Sequence, residues 1–203
     1  QRFEAMIELF EGNKRLYIHA DELKALIDVV DFVQKYEVEF PVIIGGYDAH
    51  LIAKQLIDNE IPVVIKGGHT LPENDDDPVD LPYRLPKLLK DAGVLFCLQN
   101  SGRMETMNTR NLPFLAGTAM AYGLTDEEAV AAVSLNPAKI MGLEKNLGSI
   151  SEGKIASLFI SEGDALDMRT NNVILAMISG RFIDLTNHQW ELYQRYKKKY
   201  KED

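Results

Sequence analysis

The sequence predicts an α/β protein in which a mostly parallel sheet is followed by a small β unit and a C-terminal helix. Short, near-continuous apolar runs, typical of strands that are buried on both faces, recur four times. Each run is joined to the next by a helical pattern, and such alternation indicates a parallel sheet with right-handed crossovers. Residues 134–160, here called the seam, then join the helical pattern to a region of short strands.

The chain opens inside a helical pattern whose apolar residues share one face: Phe3, Met6, Ile7 and Phe10. Because it begins inside an amphipathic helix, we expect it to be cut from a longer protein. A strand over residues 16–19 follows and ends at His19. Asp21 is then in place to cap the next helix.

Three further strands are predicted over residues 41–44, 62–65 and 94–98. Gly45 and Gly46 form a turn between the first of these strands and the helix after it, and a long polar loop over residues 66–78 follows the second strand. Gly93 marks the end of the helix that precedes the last strand. Loops of this length inside a compact domain are uncommon unless they are functional.

The seam contains a helix stop at Gly142, and a strand is predicted over residues 155–160. Just before it, Thr125 and Glu128 form a capping box that begins a helix. Ser179 and Gly180 join two runs that read as a β-hairpin. We therefore divide the chain into residues 1–145, 146–186 and a C-terminal helix at 187–203.

Composition excludes several classes of partner. The 203 residues carry a formal net charge of −9, which argues against nucleic acid or an anionic membrane. No run of about 18 apolar residues is present, so no membrane span is predicted. The single cysteine, Cys97, excludes an internal disulfide and fits a reducing cytoplasm, where we expect the protein to act.

The seam also carries a specific series of short motifs. In order they are Asn136-Pro137-Ala138, Gly142-Leu143, Gly148-Ser149 and Gly153-Lys154. The series resembles the amidohydrolase superfamily, in particular its imidazolonepropionase-related branch, at the point where the last barrel helix meets a small β-sandwich. The family usually has an acidic residue between the following alanine and leucine, whereas this chain has Ser157 there, in Ala156-Ser157-Leu158.

This resemblance implies the C-terminal half of a (β/α)₈ TIM barrel, strands five to eight, plus part of a β-sandwich. A complete barrel needs about 250 residues, and four strand–helix units are half of one. The missing half would carry the family's first-strand His-x-His. Open edges on a half barrel predict a homo-oligomer, or association with the missing N-terminal half.

Active-site residues of parallel barrels lie at the carboxyl ends of the strands. His19 matches the family's fifth-strand histidine, which implies a metal ligand; the alternative is a hydrogen-bonded histidine at a loop. The next strand ends at Gly45-Gly46, where the family commonly has a histidine, and glycine cannot bind a metal. These glycines either present backbone N–H groups to a substrate anion or permit a tight turn. His50 could replace the missing ligand, although a surface position on a helix is the simpler reading.

The last two strand ends complete the predicted site. His69, in the loop over residues 66–78, is a candidate for contact with substrate and for catalysis, although a solvated loop explains it equally well. At the fourth strand the family's catalytic aspartate is absent, and Asn100 or Ser101 takes its place. Asparagine cannot accept a proton at neutral pH, so either Glu105 or a carboxylate of the 73–77 segment replaces it, or hydrolysis is lost.

The resemblance implies metal-assisted hydrolysis of an amide or cyclic C–N bond, other than a peptide bond, in a small-molecule substrate. The cofactor would be a divalent metal, zinc, in the full-length protein. We expect this chain alone to bind no metal and to be inactive. The alternative is a non-catalytic paralogue that acts as a binding or scaffold module.

Overall fold

The strands of the main sheet lie in chain order and are all parallel in the computed structural model, which describes residues 4–100 and 105–200. They are Leu16–Ala20 (β1), Pro41–Gly45 (β2), Val63–Lys66 (β3) and Phe96–Gln99 (β4). Each strand pairs with the next along the chain, so β1 and β4 are the two edges of the sheet within the described residues. The predicted parallel sheet is therefore confirmed.

Helices and 3₁₀ turns separate and follow these strands. The α-helices are Glu4–Phe10 (α1), Leu23–Tyr36 (α2), Ala53–Asp58 (α3), Leu81–Ala92 (α4), Leu112–Ala121 (α5), Asp126–Val133 (α6), Leu135–Met141 (α7) and His188–Tyr200 (α8). The 3₁₀ helices are Ala49–Ile52 and Glu105–Asn111. No helix in the described part of the chain is long and apolar enough to cross a bilayer.

The two faces of the sheet have different surroundings. On one face a row of paired residues, Ile43, Val63 and Phe96, is fully buried against the helices in the main core. On the other face, Val42 and Cys97 are buried with Ile140 of α7. This inner face is otherwise only partly covered by the described residues.

Several element boundaries follow from local chemistry. Thr125 begins α6 with the predicted capping box, since its hydroxyl accepts the Glu128 N–H and the Glu128 carboxylate accepts the Thr125 N–H. Gly93 ends α4 in the left-handed region, with φ of 87°. The Val94 N–H then bonds to Leu89 O, which closes the helix end and delays β4 until Phe96.

The prediction that Asp21 caps α2 is wrong. Glu22 occupies the N-cap position and makes no side-chain cap. The Leu23 N–H instead donates to Asp48 Oδ2 at 2.9 Å, and Asp48 lies 25 positions later in the chain. A tertiary contact therefore replaces the local cap.

A small antiparallel sheet follows the seam. Its strands are Leu158–Ser161 (β5), Val173–Ile178 (β6) and Arg181–Phe182 (β7), paired in that order. Ser179 and Gly180, with φ of 50° and 76°, form the predicted hairpin turn. The sheet buries little of its apolar surface, since Phe159 is 51% exposed and Phe182 is 72% exposed.

Candidate functional site

His19 lies on the inner face of the main sheet. It pairs with Ile44, which pairs with Val64, which in turn pairs with Cys97. Its side chain is exposed and makes no hydrogen bond to any described residue. His19 is thus a strand residue open to a group arriving on this face, and not a hydrogen-bonded loop histidine.

A cavity of about 210 Å³ opens at the carboxyl ends of the strands. The polar side chains on its wall are Asp21, Tyr47, Lys66, Thr70, Glu73 and Asn100. Gly45 contributes backbone, and apolar contacts come from Ile65, Leu71 and Leu85 among others. A larger cavity of about 400 Å³ touches Pro41, Pro62 and Val94 at the opposite ends of the strands, where parallel barrels do not carry their chemistry.

Gly45 and Gly46 have positive φ values of 113° and 70°. A Cβ on Gly45 would lie 2.2 Å from Asp21 Oδ1, so the Asp21 carboxylate occupies the space that a larger residue would need. The Gly46 N–H donates to Ala20 O at 2.8 Å and is not available to an anion. The turn therefore brings Asp21 close to the cavity, and Gly46 itself does not line it.

His69 lies against helix α5, and it is not among the residues that line the cavity. Its Nε2 is 2.7 Å from Thr118 Oγ1. The Thr118 hydroxyl donates to Phe114 O at 3.0 Å, so His69 Nε2 is the donor in the histidine–threonine bond. This bond holds His69 against α5 through Nε2.

Asn100 follows β4 and lines the cavity together with Gly45. Its Nδ2 donates to Asn108 O at 2.6 Å, which orients the side-chain amide. Ser101, the other residue predicted at this strand end, lies outside the described residues. His50, considered as a replacement ligand, is partly buried in the 3₁₀ helix Ala49–Ile52, and its Nδ1 has no hydrogen-bond partner there.

Tyr47 is a site residue that the sequence reasoning missed. Its side chain is 7% exposed, and its hydroxyl donates to Asp77 Oδ2 at 2.7 Å. Burial raises the pKa of Tyr47, and the bond to Asp77 raises it further. The same bond lowers the pKa of Asp77. A tyrosine directly after a Gly-Gly turn at a strand end was the available signal.

Glu73, one of the carboxylates of the 73–77 segment considered as a replacement for the catalytic aspartate, also lies on this wall. Its pKa is raised first by burial, then by the neighbouring carboxylates of Asp21 and Asp48, while Lys66 lowers it. Carboxylates from three separate segments therefore meet near the cavity, with one lysine among them. The side-chain carboxylate of Glu73 makes no hydrogen bond within the described residues.

A metal centre needs more ligands than the described residues bring together. Residues 4–100 and 105–200 contain no group of three or more His, Cys, Asp or Glu side chains that could hold an ion. Structural and catalytic zinc sites use at least three protein ligands. These residues alone do not fit a zinc centre, and His19 would supply one ligand of such a set.

The chain is similar to known proteins in sequence. The sequence model of the amidohydrolase family matches residues 4–183. Imidazolonepropionase from Flavobacterium psychrophilum is 29% identical over 112 residues, which are 53% of this chain and 27% of that protein. The match thus spans about a quarter of the curated relative.

Solved structures extend the likeness to most of the chain. An amidohydrolase from Thermotoga maritima is 27% identical, with a TM-score of 0.77, over 90% of this chain and 46% of that one. A zinc-bound adenosine deaminase from Xanthomonas campestris is 15% identical, with a TM-score of 0.54, over 93% of this chain and 51% of that one. The latter likeness shows the fold alone.

The sequence match and the structural likeness agree. The fold is of the TIM-barrel α/β type, with a parallel sheet and a small antiparallel sheet. The motifs of the seam lie inside the matched residues. The chain therefore belongs to the amidohydrolase family and is related to its imidazolonepropionase branch.

Proposed function

We propose that this chain is the C-terminal half barrel of an enzyme that hydrolyses an amide or cyclic C–N bond, other than a peptide bond, in a small molecule. One observation carries the proposal: His19 stands on an incompletely covered sheet face, in a family member that spans 46% of a related amidohydrolase. The strands would be five to eight of the barrel, within residues 1–145. Residues 146–186 would be part of a β-sandwich, and 187–203 the C-terminal helix.

The open edges of the sheet support a partner for this half. Parallel strands at an edge leave N–H and C=O groups unpaired, and leaving such groups buried and unsatisfied costs about 1–3 kcal/mol each. The missing N-terminal half, or a second copy of the chain, would satisfy the groups on β1 and β4. We propose one of these two as the partner.

The residues of this chain would have separate roles. His19 would be one metal ligand, Gly45, Gly46 and His69 would shape the substrate site, and His69, Asn100 and Ser101 are the candidates for catalysis. A divalent metal such as zinc, when bound, polarises a carbonyl and lowers the pKa of its water to about 7. Since the described residues do not form a complete ligand set, the chain alone would be inactive.

The test compares the longer protein with this chain. Metal content by elemental analysis, and turnover of small amides and an imidazolone, would be measured for both and for His19→Ala. In the longer protein His19→Ala should lower turnover and metal content together, by roughly 10–100-fold or more, since even residues behind the ligands cost that much.

His188→Ala, which removes an exposed histidine from α8, is the matched control and should change neither quantity. Metal-dependent turnover by this chain alone, persisting in His19→Ala, would contradict the proposal.

A second candidate function is a non-catalytic paralogue. The glycine at the end of β2 and the asparagine after β4 favour it, since neither can serve as a ligand or base of the family's kind. Asn100→Asp in the longer protein distinguishes the metal-dependent enzyme from the non-catalytic paralogue. A gain in metal content indicates a decayed site, whereas full metal content before substitution and no gain after it indicate a site built with other ligands.

A further inference from the structure

Tyr47 joins two segments that are far apart in the sequence. It stands between β2 and the 3₁₀ helix Ala49–Ile52, directly after the Gly45-Gly46 turn. Its hydroxyl donates to Asp77 Oδ2 at 2.7 Å and accepts the Glu73 N–H at 3.2 Å. A single buried oxygen atom thus makes two hydrogen bonds to the loop that follows β3.

The loop is folded around the same carboxylate. Asp77 Oδ2 also accepts the Asn74 N–H at 3.2 Å and the Asn74 side-chain amide at 3.0 Å. The Asp77 N–H closes the turn by donating to Asn74 O at 3.2 Å. Tyr47 therefore fixes a turn that already has internal bonds, and the loop over residues 66–78 is not simply a solvated connection.

Among the acidic residues of this loop, Glu73 has the position that matters for the cavity. Glu73 and Tyr47 both line the 210 Å³ cavity that Asn100 also lines. The Asp77 carboxylate is taken by Tyr47 and Asn74. Glu73, Asp75 and Asp76 are all exposed, and of these three only Glu73 is on the cavity wall. The Glu73 carboxylate makes no hydrogen bond within the described residues.

We infer that Tyr47 is a positioning residue that holds Glu73 at the wall of this cavity, where Glu73 supplies the carboxylate that Asn100 cannot. The inference rests on the proposed function, because a proton acceptor matters only to a hydrolytic site. The bond to Tyr47 restrains the backbone of Glu73, and the side chain then reaches the cavity that lies beside it. Removing the Tyr47 hydroxyl should release both the backbone and the side chain of Glu73.

The charged groups around Glu73 provide a readout. Partial burial of the carboxyl is the largest cause of the raised pKa of Glu73, although the residue as a whole is exposed; Asp21, Asp48 and Glu22 raise the pKa further, and Lys66 lowers it. A Glu73 that leaves the cavity wall loses the burial and the nearby carboxylates together. Its pKa should then fall toward that of an ordinary glutamate. A merely structural loss of stability would not move this value in the folded protein.

The experiment uses the 203-residue chain with Tyr47→Phe and, as a matched control, Tyr83→Phe. The Tyr83 hydroxyl makes no hydrogen bond within the described residues. Its ring stacks on Tyr122 and lies 6.2 Å from the ring of His69 in the same loop, so this control removes a hydroxyl beside the loop without touching the Tyr47–Asp77 bond. Amide exchange of Glu73 and the titration of its carboxylate would be followed by NMR, with Glu73→Gln assigning the signal. Tyr47→Phe should speed exchange of the Glu73 amide roughly tenfold, the equivalent of one hydrogen bond, and lower the carboxyl pKa.

Asp77→Ala removes the bond from the Tyr47 hydroxyl to the loop and leaves both partners of the Glu73–Tyr47 bond in place. It tests whether Tyr47 holds Glu73 through the fixed turn, even if Tyr47→Phe fails to fold. Wild-type-like exchange and titration in either folded variant, or the same changes in Tyr83→Phe, would overturn the inference. Neither readout uses turnover or metal. A negative result here therefore leaves the proposed function standing, and an inactive enzyme leaves this result standing.

Discussion

Residues 4–145 and residues 146–200 have similar apolar patterns but bury them very differently. In the first region, the apolar side chains of the strands and helices form a large main core and a small second cluster on the other face of the sheet. Among residues 146–200, Leu166 is the one buried apolar side chain. It packs into the core of the first region, next to Gly117. Local patterns therefore define strands and helices, whereas a second layer is needed to bury them.

The largest expected effect concerns the state of association. Within the described residues, the first region leaves two sheet edges open and the second leaves its sheet largely uncovered. We therefore expect a dimer or larger assembly, or co-purification with the proposed N-terminal half. Light scattering at micromolar concentration measures this directly. A stable, monodisperse 22.9 kDa species would mean that the edges are capped within the chain, and the half-barrel interpretation would have to be replaced.

A matched pair of truncations tests the difference in burial. Phe96 of β4 is 2% exposed and Phe182 of β7 is 72% exposed. Phe96→Ala should lower the free energy of unfolding by about 3–5 kcal/mol, the usual cost of removing a buried aromatic ring. Phe182→Ala should change it by less than about 0.5 kcal/mol, as for other surface positions.

Urea denaturation of both variants gives the two values. Equal losses would show that the small sheet is covered in solution, so that the second region is completed by a partner even in the isolated chain.

The smallest effect compares two exposed ion pairs. The Lys90 ammonium, 2.7 Å from Glu128 Oε1, is the main cause of the lowered pKa of Glu128, which falls below its ordinary 4.5. A lowered folded-state pKa contributes stability that is present above pH 4.5 and lost as the pH falls through the folded value. In the second region, His188 and Glu191 form a looser pair at 3.7 Å.

Glu128→Gln should therefore flatten the acid limb of the stability curve slightly, and by more than Glu191→Gln does, because the contact of Glu191 with His188 is longer, at 3.7 Å. Thermal melts between about pH 6 and pH 3 at low salt would measure this, since salt screens exposed pairs. A larger change in Glu191→Gln than in Glu128→Gln would contradict the view that ordered contacts are concentrated in the first region.

Sequence reasoning succeeded where a few neighbouring residues decide the structure. The Thr125 capping box and the glycine ends of α4 and α7 were predicted because their hydrogen bonds join residues only a few positions apart. Asp21 failed as a cap because Asp48, 25 residues away from Leu23, takes that bond.

The candidate site depends on longer-range contacts still. His69 is held by Thr118, 49 positions along the chain, and Tyr47 is held by Asp77, 30 positions along. No local pattern specifies these partners. The sequence therefore predicted which strand ends to inspect, and folding decided which side chains meet there.

Cys97, buried on the inner face of the sheet, can report by its reactivity when that face becomes exposed. Burial raises the pKa of its thiol to about 12, so at neutral pH it is protonated and unreactive toward alkylating reagents. Its cover includes Ile140 of α7, and the chain contains no other cysteine. The rate of alkylation of the native protein should therefore measure how often Cys97 becomes uncovered, without an engineered label.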